Sequence, residues 1–365
     1  MKKITVLVDI YYLKAAVAGI GSYIREFEAS SSDHGSDDIN YVFSHDINKL
    51  VGNSVFLNSN NRIIRWIFQI RYLIYKQVKL PLKILFSKAD YVICPDYVAP
   101  LITFNAKRIT VLHDSLFWDQ KNNYSVLWRK YFISLINLGM NSKTQIVTTS
   151  NYSKNNLIKI FRNNRNINFV YQSFNFHKTT SSNYKTPENY LLHIGSFEKR
   201  KDLITLIKAF KLVKDDSLKL VLAGAQIING SSEVLDEIKT FIFQNKLENK
   251  VILAGYVSKE EASLLYKNAR IYVFPSLDEG FGIPILEALS FSLPVICSDI
   301  DIFKEVGGDC VEYFKVGDSI SLSKKIISVL DSDKLRQNDN TKHINKFSRK
   351  NFIKGFERII LDSND

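Results

Sequence analysis

A chain of 365 residues is longer than one hydrophobic core comfortably organises, and 45% hydrophobic content supplies material for two. Three scattered cysteines, Cys94, Cys297 and Cys310, exclude a disulfide framework and a structural zinc site, and fit buried, reduced thiols. The formal charge of +12 is local: the eight Lys/Arg between Ile47 and Ala89 meet no Asp/Glu and carry two-thirds of it.

The opening Met1-Lys-Lys-Ile-Thr-Val-Leu-Val-Asp9 holds too short an apolar stretch for a secretory leader, which needs roughly 7–15 residues, and reads as a strand over Ile4–Val8. Strand-like runs follow at Tyr41–Ser44, Tyr91–Cys94, Ile109–Leu112, Gln145–Thr149 and Asn168–Tyr171. Helical stretches lie between them, near Gly21–Ala29, Ile63–Phe86, Ser125–Leu138 and Tyr152–Phe161. The polar segment Lys178–Asn189 breaks the pattern and reads as a linker. Beyond it, strands are expected at Tyr190–Ile194, Lys219–Ala223, Val251–Ala254, Ile271–Phe274, Pro294–Cys297 and Val311–Phe314. Helices are expected at Leu203–Val213, Glu233–Phe243, Lys259–Lys267, Ile283–Leu289, Phe303–Val306 and Ile320–Leu330, with an amphipathic closing helix over Lys346–Leu361.

Strands alternating with helices imply parallel sheets covered on both faces. The expectation is an α/β protein of two Rossmann-like domains facing across a cleft. One spans residues 1–177, with 346–365 packing back on it; 178–189 links it to the other, 190–345. No run approaches the ~18 apolar residues of a membrane span, so a soluble or peripheral chain is expected, and the reduced thiols fit the cytoplasm, with the inner face of the plasma membrane as its site if it is peripheral.

The segment Glu279-Gly-Phe-Gly-Ile-Pro-Ile-Leu-Glu-Ala-Leu-Ser290 is the most informative. It follows the apolar run Ile271–Phe274 and passes through two glycines into a helix. That order sets backbone N–H groups and a positive helix end where a diphosphate can sit. Glu279 stands at the strand's carboxyl end, where open α/β sheets bind ligands. Glu287 falls on the first turn or so of the helix. Carboxylates repel phosphates, so the pair suits sugar hydroxyls beside them, and the local reading is a nucleotide-sugar site.

A second element, Gly195-Ser-Phe-Glu-Lys-Arg-Lys-Asp202, also leaves a strand. The helix after it carries apolar residues at Leu203, Leu206, Ile207 and Phe210, with Asp202 as N-cap. Arg200 and Lys201 read either as a cationic clamp on a departing phosphate or as a solvated basic loop.

Taken together, these elements resemble the large class of retaining glycosyltransferases with the GT-B fold, often called family 4, and most closely its O-antigen and surface-polysaccharide mannosyltransferases. The matching segments are HIGSFEKRKDLITLIKAF, LVLAGA, VILAGYVSKEEASLLYKNARIYVFPSLDEGFGIPILEALSFSLPVICSDI and EVGGD, between His193 and Phe314. The resemblance implies that Glu279 contacts the donor sugar and Glu287 the ribose. It implies that Arg200, Lys201 and the amides of Gly280, Phe281 and Gly282 hold the diphosphate, with Gly195 and Tyr256 completing the nucleotide site. More loosely, Ala18-Gly-Ile-Gly-Ser-Tyr23 resembles the family's first glycine loop, so Gly19 and Gly21 face donor phosphate and acceptor. Val111-Leu-His-Asp114 resembles the strand end whose histidine, here His113, lies near the reacting sugar. Without the resemblance, the two glycines are a flexible turn and His113 a structural histidine. Ser22 stands where relatives often carry Arg, and Ser292 where Gly is usual.

Gly19-Ile-Gly21 lacks the third glycine of a dinucleotide fingerprint and lies too far beyond the first strand. Asp299-Ile-Asp301 and Asp331-Ser-Asp333 have the D-x-D form some glycosyltransferases use for a divalent ion, but the cations and helix ends make a metal unnecessary, so no cofactor is expected. In Asn61–Lys88, a 100° projection puts Arg62, Arg65, Lys76 and Lys79 on one arc. That arc reads as a solvated face or as a patch for an anionic membrane surface. No nucleic-acid module accompanies it.

The expected activity is transfer of a sugar, with GDP-mannose favoured over UDP- and dTDP-sugars, to a hydroxyl of a lipid-linked oligosaccharide with retention at the anomeric carbon. A non-transferase GT-B enzyme resembling an epimerase and a silent scaffold remain as alternatives.

Overall fold

The computed structural model describes residues 3–15, 19–50, 62–119, 126–141, 144–161, 166–175, 184–224, 232–332 and 339–363. The chain divides into two compact units, Met1–Asn175 with Phe347–Asp365, and Phe176–Lys346. Residues 178–183 of the expected linker, and Asp333 of the second D-x-D, lie outside the described residues.

The first unit holds β1 (Ile4–Val8), β2 (Ile39–Phe43), β3 (Tyr91–Cys94), β4 (Lys107–Leu112), β5 (Gln145–Thr148) and β6 (Ile167–Phe169), in the order β2-β1-β3-β4-β5-β6. Every pairing is parallel. The second unit holds β7 (Tyr190–Ile194), β8 (Lys219–Ala223), β9 (Val251–Gly255), β10 (Ile271–Phe274), β11 (Val295–Ser298) and β12 (Glu312–Phe314), in the order β12-β11-β10-β7-β8-β9, again all parallel. Central strands such as β3 (YVIC) and β10 (IYVF) are buried at every position. Strands covered on both faces need continuous apolar runs, and these have them.

Strand order reverses between β1 and β3 in one sheet and between β7 and β10 in the other. At such switch points neighbouring connections leave on opposite faces and open a crevice at the carboxyl ends. Residues far apart in sequence meet there. Tyr272 pairs with Leu192 across β10 and β7, which brings the loop after His193 beside the loop after Phe274.

Helix ends follow local chemistry. Ser258 and Glu261 form a capping box on the helix Lys259–Asn268. Asp318 caps Ser319–Leu330 through the amides of Ile320 and Ser321. Asp202 occupies the N-cap position of Leu203–Leu212 in the left-handed region (φ 46°, ψ 45°). Ser292, where the resemblance leads to an expectation of Gly, is also left-handed, at φ 52°. Within the first unit, the helix Arg349–Leu361 lies on Ile20–His34. Phe352 and Phe356 meet Phe27 edge-on, and Arg349 bridges Glu26 and Asp33.

The connection from β2 to β3 departs from the even helical projection. The α-helix Arg62–Ile74 runs into a π turn, Tyr75–Lys79, and then the α-helix Leu80–Ser87. A π turn holds more residues per turn, so phases beyond it shift. Lys76 accordingly leaves the arc read from the sequence. It is fully buried between Asp9 and Asp96, at 2.6 and 2.5 Å. The side chains of Arg62 and Arg65 lie outside the described residues.

Candidate functional site

Glu279 is the hub of the second unit's switch point. Its Oε2 lies 2.7 Å from Arg200 NH1, and its Oε1 accepts from Lys201 Nζ and, at 3.0 Å, from Ser276 Oγ. The loops from β7 and β10 are also tied through main chain, with Leu277 N–H donating to the Arg200 carbonyl at 2.7 Å. Arg200 reaches Glu198 Oε2 at 2.7 Å with its Nε. Lys201 stands 4.8 Å from the centre of the Phe274 ring. Burial would raise the Glu279 carboxyl, but the charges of Lys201 and Arg200 outweigh it and hold the group below the ordinary range. Burial lowers Lys201 in spite of Glu279.

Two glycines let this arrangement close. Gly282, at φ 106°, starts the helix Ile283–Ser290, and a Cβ there would stand 3.1 Å from Phe303. Gly224, just after β8, packs so tightly on Gly195 that a Cβ would fall 1.8 Å from the Gly195 carbonyl oxygen. Phe281 is buried and Gly280 half-buried, while Tyr256, after β9, is 79% exposed.

Glu287 is the fifth residue of its helix, which begins at Ile283 as the sequence suggested. Tyr266 donates to its Oε2 at 2.8 Å. Burial pushes its carboxyl up to about 7, against the pull of Tyr266 and Lys259. Burial, and after it the fields of Glu287 and Glu279, raise the Tyr272 phenol. Its hydroxyl donates to the Ile194 carbonyl at 3.1 Å.

Residues 177–345 match the model of the family described as Glycosyl transferases group 1. That match spans the C-terminal unit, Phe176–Lys346. The O-antigen chain mannosyltransferase RfbU of Salmonella typhimurium is 32% identical over 183 residues, half of each chain. O-antigen chain mannosyltransferase B of Escherichia coli is 26% identical over 251 residues, 63% of each. The chain thus matches less than two-thirds of the length of these curated relatives. The crystal structure of Anabaena HepE with UDP and glucose superposes with a TM-score of 0.70 at 15% identity, covering 98% of this chain and all of that one. This likeness gives the fold, GT-B.

Among the residues that the group 1 resemblance implies, Glu279, Arg200, Lys201, Glu287, Gly195, Gly280, Phe281, Gly282 and Tyr256 all fall in the C-terminal unit, on loops or helix starts after β7, β9 and β10. His113, Gly19 and Gly21 belong to the first unit. Gly19, at φ 54°, precedes Ile20–His34 with open space where a Cβ would stand, and Gly21 is buried as the second residue of that helix. His113 follows β4; its Nε2 lies 2.7 Å from the Pro95 carbonyl, and burial lowers it to about 4, so it is neutral at pH 7. Of the D-x-D candidates, Asp299 is paired with Lys304 at 2.5 Å and Asp301 opens a helix.

Sequence reading passed over four contributors. His193 is fully buried under Gly195, its Nδ1 donating to the Val273 carbonyl at 3.0 Å. Burial brings its imidazole to about 4, and its Nε2 has no partner among the described residues. A polar residue inside the apolar strand YLLHI was the available signal. Ser276, Tyr266 and Tyr272 gave none, since their contacts depend on strand order.

Proposed function

We propose that the chain is a retaining glycosyltransferase that moves mannose from GDP-mannose to a hydroxyl of a lipid-linked oligosaccharide in O-antigen or similar polysaccharide synthesis. The observation that carries this reading is the Arg200–Glu279–Lys201 cluster at the switch point of a group 1 domain. Two cations already held by one carboxylate are preorganised for charge that appears on a leaving diphosphate. Such preorganised electrostatics supply the largest share of many rate enhancements. Arg200 offers a planar fork and Lys201 a point charge.

In the proposed reaction the bond from the anomeric carbon to the phosphate oxygen breaks. The acceptor oxygen forms its bond to that carbon on the same face. The acceptor proton passes to the departing phosphate oxygen, so no protein nucleophile is required. Glu279 holds sugar hydroxyls as its cations turn toward phosphate, Glu287 accepts from the ribose, and His113 lies near the sugar. The cations stand in for a catalytic metal. Curated relatives named as O-antigen mannosyltransferases support mannose. Among the described residues no helix is long and apolar enough to cross a membrane; we place the enzyme in the cytoplasm, at the inner face of the plasma membrane.

The test is transfer from GDP-mannose, UDP-glucose and a dTDP-sugar to a lipid-linked oligosaccharide acceptor, with the product's anomeric configuration read by NMR. Mannose transfer with retention supports the proposal. Transfer from only the other donors overturns the mannose assignment, and inversion overturns the mechanism.

A further inference from the structure

The connection between β2 and β3 carries an apolar row that is exposed among the described residues. Trp66, Ile70, Ile74, Val78, Leu82 and Phe86 recur every four residues, each between 45% and 78% exposed. In an unbroken α-helix, at ~100° per residue, a spacing of four drifts about 40° per step. The π turn Tyr75–Lys79 takes back part of that drift. The same turn buries Lys76 and leaves Arg71 and Lys79 exposed beside the row. An apolar row of this size with charged neighbours marks an interaction surface.

The same connection walls a cavity of about 430 Å³ at the carboxyl ends of β1 and β2. Tyr11, Lys14, His45, Arg71, Tyr75 and Lys79 line it, and so does Ile74 of the apolar row. Lys14, Arg71 and Lys79 have no carboxylate partner among the described residues. Tyr11 and Tyr75 stack at 3.9 Å, and Lys14 stands 4.8 Å from the Tyr11 ring. Beneath them, Tyr75 donates to Asp9 at 2.9 Å, but that carboxylate is already matched by buried Lys76. His45 is brought to about 4 by burial and by the fields of Lys83, Lys14 and Lys79, against that of Asp9, so it adds no charge at pH 7. A pocket with three unmatched cations, next to a sheet's switch point, suits a phosphate or diphosphate.

We infer that this pocket takes the phosphate or diphosphate of a lipid-linked molecule whose hydrocarbon chain lies along the row from Ile70 through Ile74 to Val78. The inference rests on the proposed use of a lipid-linked acceptor and names where that acceptor is held. A free anion would use the pocket but not the row. A merely acidic membrane would use the row and the exposed cations but not the pocket.

Those differences set the experiment. The full chain is titrated with phosphatidylcholine vesicles doped with hexadecyl diphosphate, with vesicles carrying phosphatidylglycerol at equal charge, and with inorganic diphosphate. Vesicles with the alkyl diphosphate should bind about tenfold or more tightly than those with phosphatidylglycerol. Arg71→Gln with Lys79→Gln should abolish that preference. Ile70→Ser with Ile74→Ser should weaken vesicle binding about tenfold and leave inorganic diphosphate unaffected. Equal binding of both vesicle types overturns the inference, as does vesicle binding indifferent to the Ile variants. All four positions are exposed, and Arg71, Ile74 and Lys79 only edge the cavity, so circular dichroism should show intact folds. Nucleotide titrations on the same samples keep the two proposals apart. Retained nucleotide binding without lipid preference refutes the pocket alone, and lipid preference without nucleotide binding refutes the donor site alone.

Discussion

Replacing Glu279 with Ala removes the carboxylate that matches two cations at once. Arg200 is about a quarter exposed and keeps Glu198, so its share of the loss is small, within the ~0–1 kcal/mol typical of solvent-reached pairs. Lys201 is different: it is 6% exposed, and Glu279 is its ion-pair partner among the described residues. Stripping one partner from a buried pair costs about 3–5 kcal/mol. Lys201 can instead give up its proton, which for an ordinary lysine at pH 7 costs about 4–5 kcal/mol, so the two routes set a similar ceiling. A loss of about 3–4 kcal/mol in a unit of this size lowers Tm by roughly 6–16 °C. Scanning calorimetry of the full chain should show that shift in the transition of the C-terminal unit. A nucleoside diphosphate should then raise Tm more in Glu279→Ala than in the wild type, because its phosphates take the carboxylate's place on Lys201. Turnover should fall about tenfold or more in both Glu279→Ala and Lys201→Ala. A variant melting within about 2 °C of the wild type, with no larger response to nucleotide, would refute the reasoning.

Glu287 supplies a pH test. Its folded-state carboxyl is raised to about 7, so the stability tied to its protonation is full below the ordinary ~4.3 and is lost as pH rises through 7. Ribose binding needs the carboxylate, so nucleotide affinity should move the other way, rising up to about tenfold per pH unit toward 7 and staying flat in Glu287→Gln; a flat wild-type profile by calorimetry argues against the assignment. Lys76→Met leaves Asp9 and Asp96 buried without their cation and should cost the first unit about 3–5 kcal/mol in urea titrations. A near-neutral result there would mean that the three charges contribute specificity and not stability. Gly224→Ala puts a Cβ 1.8 Å from the Gly195 carbonyl and should cost the C-terminal unit more than about 2 kcal/mol. A variant of wild-type stability would show that the β7 and β8 ends move apart easily.

What the sequence shows clearly is what local pattern controls. The run Ile271–Phe274 is apolar because both faces of β10 are buried, and it reads as a strand without help. The cationic loop before Leu203 and the glycine turn before Ile283 are equally local. That Arg200 and Lys201 close on Glu279 is not local, because it depends on β7 lying beside β10, and strand order leaves no mark on short segments. Lys76 shows a different failure. A projection at 100° per residue assumes an unbroken α-helix, and the π turn Tyr75–Lys79 invalidates it from Tyr75 onward. Asp9 and Asp96, each just beyond an apolar strand, held the missing hint: a lone carboxylate at a strand's carboxyl end calls for a cation nearby.

The claim on which the donor chemistry depends is that the C-terminal unit's glutamates and cations hold a nucleoside diphosphate. Titration calorimetry with GDP, UDP and dTDP in the presence of a chelator, on the wild type, Glu287→Ala and Lys201→Ala, tests it directly. GDP should bind most tightly, and each variant should lose about tenfold or more. Binding of no nucleotide, or GDP binding unchanged in both variants, would contradict it.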